Sequence, residues 1–387
     1  MLRALWLLVS VLMLPLAQSF AQAPPALSEN AALSYWQAFP QLPKLTDADA
    51  SKLYSDCLTM PIDAHVKEML ASEQTRYAFR MMHRAAARKQ CDWDIAYEEG
   101  IGALLPNVGA SRTLAGVACL RARLEFEQGK IAEAVDDVLA GLAMARHVSD
   151  NGVFIQLVVG YGIEHRMIET LALFIPRLDA QAIKSLKARL DALPSGGNPV
   201  SAMAFEVKAC PDWLERKLKE AKTPDEALAF ISGLMLQQGD SPKKGPEKSR
   251  AFLQECGGTA EGVLKCIGEM RHFYAASSLK LGLPVQQFNE EFTAEVKKRA
   301  ATNPVIRELF PALERVRTAQ ARIDVRRALL SAALAVQTGG KDALKNHADP
   351  VAGGPFDYVA LEGGFELRSK ARLDNKPLTL VVGKREK

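Results

Sequence analysis

The chain contains no CxxC or CxxCH, no HExxH, no GxSxG elbow and no Walker-type lysine loop. Those absences remove sequence support for covalent haem, zinc-finger and zincin sites, serine-hydrolase elbows and P-loop phosphate cradles. No Cys/His spacing suits a metal, and no cofactor is expected. Charge of one sign is also scarce: 49 Lys+Arg against 45 Asp+Glu leave a net charge of only +4. The cations fall in short clusters such as Lys243-Lys244 and Arg326-Arg327. A nucleic-acid binder concentrates its cations on one face, so no nucleic-acid partner is expected. Beyond the N-terminus no apolar run is long enough to cross a bilayer.

What is present begins with a leader. MLR supplies a short positive region, and Ala4 to Ala17 supply an apolar stretch followed at once by small residues. Cleavage is expected after Ala21, leaving Gln22, because the competing cut after Ala23 would place Pro24 next to the scissile bond. An uncleaved membrane anchor is the alternative. Residues 1–21 are thus read as a signal peptide and the mature chain as periplasmic or secreted. Export changes the meaning of the six cysteines, which an oxidising compartment allows to pair. Cys256 and Cys266 are the expected disulfide, since Gly257-Gly258 let the chain turn back between them. Cys57, Cys91 and Cys210 lie near predicted helix ends, and Cys119 reads as a buried free thiol in mid-helix.

Residues with hydrophobic character make up 48% of the 387, enough for one large helical domain or two smaller ones. Helix starts recur: Thr46 with Asp49, Thr223-Pro224 with Glu226, Asn198-Pro199, Asn303-Pro304 and Asp179. Leu114 to His147 reads as two apolar-periodic segments meeting at Gln128-Gly129-Lys130, with Ala134, Val138, Leu142 and Ala145 on the inner face. This stretch resembles one tetratricopeptide-type hairpin, without a second copy at a fixed period. The fold class is therefore mainly α, an irregular stack of helical hairpins. Breaks at Leu193 to Ser201 and Gln237 to Ser249 suggest a subdomain over 22–197 and another over 198–340. A helix runs from Pro304 to Val336, with Pro311 kinking or dividing it.

Residues 341–387 change period. Phe356, Tyr358 and Ala360 alternate with polar neighbours, Gly363-Gly364 break the run, and Phe365, Leu367 and Ser369 alternate again. With PLTLVV from Pro377 to Val382 this predicts a small antiparallel β element. It is read as a cap on the apolar end of the stack rather than as an edge awaiting a partner. The order of a long helix, DPxxGxPFxY and GGFELRS resembles the ending of major pseudopilins. The segments Asn30 to Pro43 and Cys91 to Pro106, with the same tail, resemble uncharacterised exported helical proteins of planctomycete-type bacteria, which implies no known activity. The pseudopilin processing site and calcium-binding run are missing.

Few residues offer chemistry. Glu164, His165 and Glu169 sit close in sequence, with His165 and Glu169 four apart on one helical face, a spacing that suits a metal or acid–base work but also an ordinary surface pair. Ser277 and Lys280 match S-x-x-K, yet the partner motifs S-D-N and K-T-G are missing. Asp92-Trp93-Asp94 and Asp212-Trp213 set acids beside an indole, though Trp93 and Trp213 read as packing residues in a periodic helical setting. The function expected is a noncatalytic protein- or peptide-binding module of the cell envelope. An envelope hydrolase acting on cell-wall material is the alternative, and a secretion-pilus component is another.

Overall fold

The structure, a computed structural model, describes residues 29–237, 245–373 and 376–383. The leader at 1–21 and part of the break at 237–249 lie outside the described residues. Four helices open the described chain: α1 (Ala32–Ala38), α2 (Asp47–Asp56), α3 (Ala64–Ala71) and α4 (Glu73–Ala86). Three long ones follow, α5 (Pro106–Glu127), α6 (Ile131–Ser149) and α7 (Phe154–Ala172), then α8 (Ala180–Asp191). Next come α9 (Pro199–Val207) and α10 (Trp213–Glu220), joined by a π turn at Lys208–Asp212. The second half holds α11 (Pro224–Gln237), α12 (Gly245–Glu255), α13 (Ala260–Lys280), α14 (Val285–Ala300), α15 (Pro304–Leu309) and α16 (Leu313–Gly339). Three strands close the chain: β1 (Asp357–Leu361), β2 (Gly364–Leu373) and β3 (Lys376–Gly383). The molecule is mainly α with a small C-terminal antiparallel sheet, as expected.

Local chemistry explains where the helices start. Thr46, Asp179, Asn198, Thr223 and Asn303 each accept a backbone N–H of the first turn of α2, α8, α9, α11 and α15. Each such cap contributes about 1 kcal/mol. The α5–α6 hairpin turns at Gln128-Gly129-Lys130, and Ala134, Val138, Leu142 and Ala145 are all buried. Pro311 divides the expected Pro304–Val336 helix, so α15 ends at Leu309 and α16 starts at Leu313. Proline has no N–H to continue the ladder and its ring clashes with the preceding turn.

Helix α16 is the spine. It packs on α7, α8, α9 and α14 and receives the sheet on a further flank. One connected cluster of buried apolar side chains runs from Ala31 to Val382, across the breaks near 198 and 340. Helix α7 fits between α6 and α16 because Gly160 carries no side chain: a Cβ there would lie 2.5 Å from the Ala145 carbonyl oxygen and 2.6 Å from Ser149 Cβ.

The sheet has strand order β1-β2-β3, antiparallel throughout, with Tyr358 opposite Leu367 and Leu367 opposite Leu380. Along β2, Phe365, Leu367, Ser369, Ala371 and Leu373 are buried while Arg368, Lys370 and Arg372 are exposed. The buried face lies on α16, and β3 also meets α7. Asp349 of the DP motif accepts the backbone N–H groups of Val351 (2.8 Å) and Ala352 (3.0 Å) and the hydroxyl of Ser369 (2.5 Å). The first and last polar residues of that tail pattern therefore form one buried hydrogen-bond network.

The other two familiar segments also meet each other. Asn30 Nδ2 donates to the Asp92 carbonyl, and Asn30 Oδ1 accepts from Asp92 N, both at 2.9 Å. Tyr35 and Phe39 stack on Trp93, whose Nε1 donates to the His147 carbonyl (2.9 Å). Trp93 is buried as expected, but in irregular chain between α4 and α5 rather than on a helix. The periodicity misled there because tertiary stacking, not helical register, buries the indole. His147 on α6 is fully enclosed beside Tyr35, whose hydroxyl lies 3.0 Å from Nδ1, and burial pushes its pKa down to about 4.

Two outcomes follow. Gly160→Ala forces backbone apart at the α6–α7 crossing and should cost about 2–3 kcal/mol in chemical denaturation. For His147 the folded pKa lies below the unfolded one, so its contribution is present above about 6.5 and is lost as pH falls toward 4. Unfolding free energy should fall by about 3 kcal/mol over that window, and His147→Asn should flatten the curve there.

Candidate functional site

The seam between α7 and α16 gathers most of the side chains with chemical capacity. Glu164 is an acid on an apolar helix, and its side chain is only 2% exposed. Arg327 of α16 grips it with two bonds, Nε to Oε1 at 2.8 Å and Nη2 to Oε2 at 2.7 Å. Arg146 of α6 adds a longer contact at 3.3 Å and spends another N–H on the Pro194 carbonyl (2.8 Å). Arg327 also reaches Asp324 at 3.2 Å. A two-pronged guanidinium–carboxylate contact is the strong form of this interaction and fixes orientation as well as charge. Below it opens a cavity of about 290 Å³ walled by Leu142, Ile168, Leu190, Leu330 and Leu334, with Lys187 and Asp191 at its rim.

On another flank of the same seam lies a groove of about 300 Å³ between α7, α16 and the start of β3. Val158, Tyr161, Ile323 and Leu378 make its apolar walls, and Arg322, Arg326 and His165 supply its nitrogen. Among the described residues that line it none is a carboxylate, and Glu169 stands behind His165. Arg322 also donates to the Leu373 carbonyl (3.2 Å), tying the sheet to α16. Tyr161 donates to the Gly197 carbonyl (3.1 Å), and burial raises its pKa. His165 stands 3.2 Å from Glu169, as the four-residue spacing suggested. Burial pushes its pKa below the ordinary imidazole range, and Glu169 opposes that shift.

The structure therefore splits the trio. Glu164 belongs to the arginine triad, whereas His165 and Glu169 face the other flank. Among the described residues no group of three or more His, Cys, Asp or Glu is placed to hold a metal ion. Ser277 and Lys280 do not join them, since α9 lies between α7 and α13 and packs on both. Ser277 is buried, while Lys280 points outward onto Glu295 (2.9 Å) with Glu291 behind it (3.7 Å). Hydrogen bonding to Glu295 raises the Lys280 pKa, and burial opposes it. An ammonium so held is no base for the serine. The expected partners Cys256 and Cys266 are neighbours in space, and both stand as free cysteines.

Sequence reasoning passed over Arg146 and Arg327, which lie 18 and 163 positions from Glu164. The only available signal was Glu164 itself, an acid at an inward position of an apolar helix. A second buried network was missed too. Asp137 accepts from His83 (2.7 Å) and forms an ion pair with Arg121 (3.3 Å), and Arg121 also holds Glu125 (3.0 Å). Burial, with Asp137 beside it, pushes Glu125 up to about 7. No family model, curated protein or solved structure matches the chain.

Removing Glu164 strands two cations in the seam. Glu164→Ala should cost about 3–5 kcal/mol, whereas the apolar triple Arg146→Met, Glu164→Leu, Arg327→Met should recover most of that loss. Denaturant titration of the three proteins checks both statements.

Proposed function

We propose that the protein is an exported binding module of the cell envelope whose α7/α16/β3 groove takes an acidic, extended segment of a partner protein. The observation that carries this reading is the groove's described lining, two arginines and a histidine set between apolar walls. Cations flanked by apolar surface suit a peptide that alternates acidic and aliphatic side chains, the aliphatic ones seating against Val158, Ile323 and Leu378. Apolar surface continues out of the groove along α7, where Ile155 is 53% exposed. Rim arginines of this kind govern association rate and partner choice, so the interaction should weaken with salt.

The hydrolase alternative needs a nucleophile and a base in one pocket. Ser277 is buried, Lys280 is held by two glutamates, and neither lines the groove or the cavity beside Glu164. Binding without turnover is the reading these side chains support better.

Calorimetric titration of residues 22–387 with a peptide of about ten residues alternating Glu and Leu should give a dissociation constant in the micromolar range at low salt. The Lys/Leu counterpart should not bind. Arg326→Glu should weaken the acidic peptide by roughly tenfold or more. Equal binding of both peptides, or of neither, contradicts the proposal.

A further inference from the structure

We propose that Cys57 and Cys119 form a second disulfide site, which locks α2 onto α5 in the exported protein. The geometry rests on how closely those helices approach. A Cβ built on Gly116 would stand 3.0 Å from Leu53 Cγ and 3.4 Å from the Leu53 carbonyl group. One turn further along each helix stand Cys57, at the end of α2, and Cys119, in the middle of α5. Both side chains are wholly buried. The two thiols stand near enough to shift one another's titration, Cys57 Sγ donates to the Tyr54 carbonyl at 3.5 Å, and Thr170 Oγ1 donates to Cys119 Sγ at 3.2 Å. Arg123 pins the end of α2 by donating to the Cys57 (2.5 Å) and Met60 (2.9 Å) carbonyls. Two cysteines on closely packed, anchored helices can be bridged with little backbone movement, the condition most cysteine pairs fail.

The chemistry is thiol–disulfide exchange with a small-molecule disulfide or a protein oxidant in its disulfide form. One cysteine, as thiolate, attacks a sulfur of the oxidant and expels one thiolate, which leaves a mixed disulfide. The second cysteine attacks the protein sulfur of that bond and expels the other. The two cysteine protons pass to solvent, and the electron pair ends on the two released thiolates. Because both sulfurs are buried in the finished fold, the exchange takes place while α2 closes on α5. The bridge spans 62 positions (119 minus 57), long enough for its loss to lower the melting temperature by roughly 5 °C.

This inference relies on export for its oxidising surroundings, but the pairing itself is tested apart from export. Residues 22–387 are refolded with oxidised glutathione, denatured, alkylated without reduction and mapped as peptides. The expected map links Cys57 to Cys119 and Cys256 to Cys266 and leaves Cys91 and Cys210 alkylated. Alkylation of both Cys57 and Cys119 beside an intact Cys256–Cys266 link overturns the site. Bridging on refolding, with reduced thiols in protein trapped by alkylation inside cells, upholds the site and contradicts export.

Discussion

A single buried carboxylate organises this molecule. Glu164 sits where an apolar helix meets the spine, and Arg327 and Arg146 converge on it from α16 and α6. Burying a charge is costly unless it is paired and hydrogen bonded. The register of α7 against α16 is therefore set by the one arrangement in which Arg327 reaches both carboxylate oxygens. Apolar packing on its own tolerates sliding, whereas a two-pronged guanidinium does not. Gly160 complements that constraint by letting α7 sit close against α6.

Everything proposed to be functional is carried on this seam. With α7 and α16 in fixed register, Val158, Tyr161 and His165 oppose Ile323 and Arg326 across one groove, and β3 closes its side with Leu378. The sheet has two duties here. Its apolar face covers α16, and Arg322 couples its backbone at Leu373 to that helix. The same element completes a wall of the groove, so a tail that reads as a cap also shapes the surface proposed to meet a partner.

Much of the architecture was legible because it is written locally. Caps at Thr46, Asp179, Asn198, Thr223 and Asn303, the break at Pro311 and the period-two tail each act through neighbours in sequence. What could not be read depends on contacts between distant positions. The segments around Tyr35 and Trp93 looked distinctive as separate motifs, yet their meaning is mutual stacking and the Asn30–Asp92 pair. The DP and RS of the tail likewise resolve into one Asp349–Ser369 hydrogen bond. Glu164, His165 and Glu169 seemed a unit because sequence distance was the only distance available; a helix turns by about 100° per residue, which sends Glu164 and His165 to different flanks. Cys119 is the buried free thiol its mid-helix setting suggested, while the nearness of Cys57 could not be read because the two lie far apart along the chain.

Hydrogen–deuterium exchange with and without the acidic Glu/Leu peptide tests the central claim most directly. Binding in the groove predicts slowed exchange confined to residues 155–165, 319–326 and 376–382, with the rest of the chain unchanged. No protection, or protection centred instead on the cavity between Leu142 and Leu334, would contradict it.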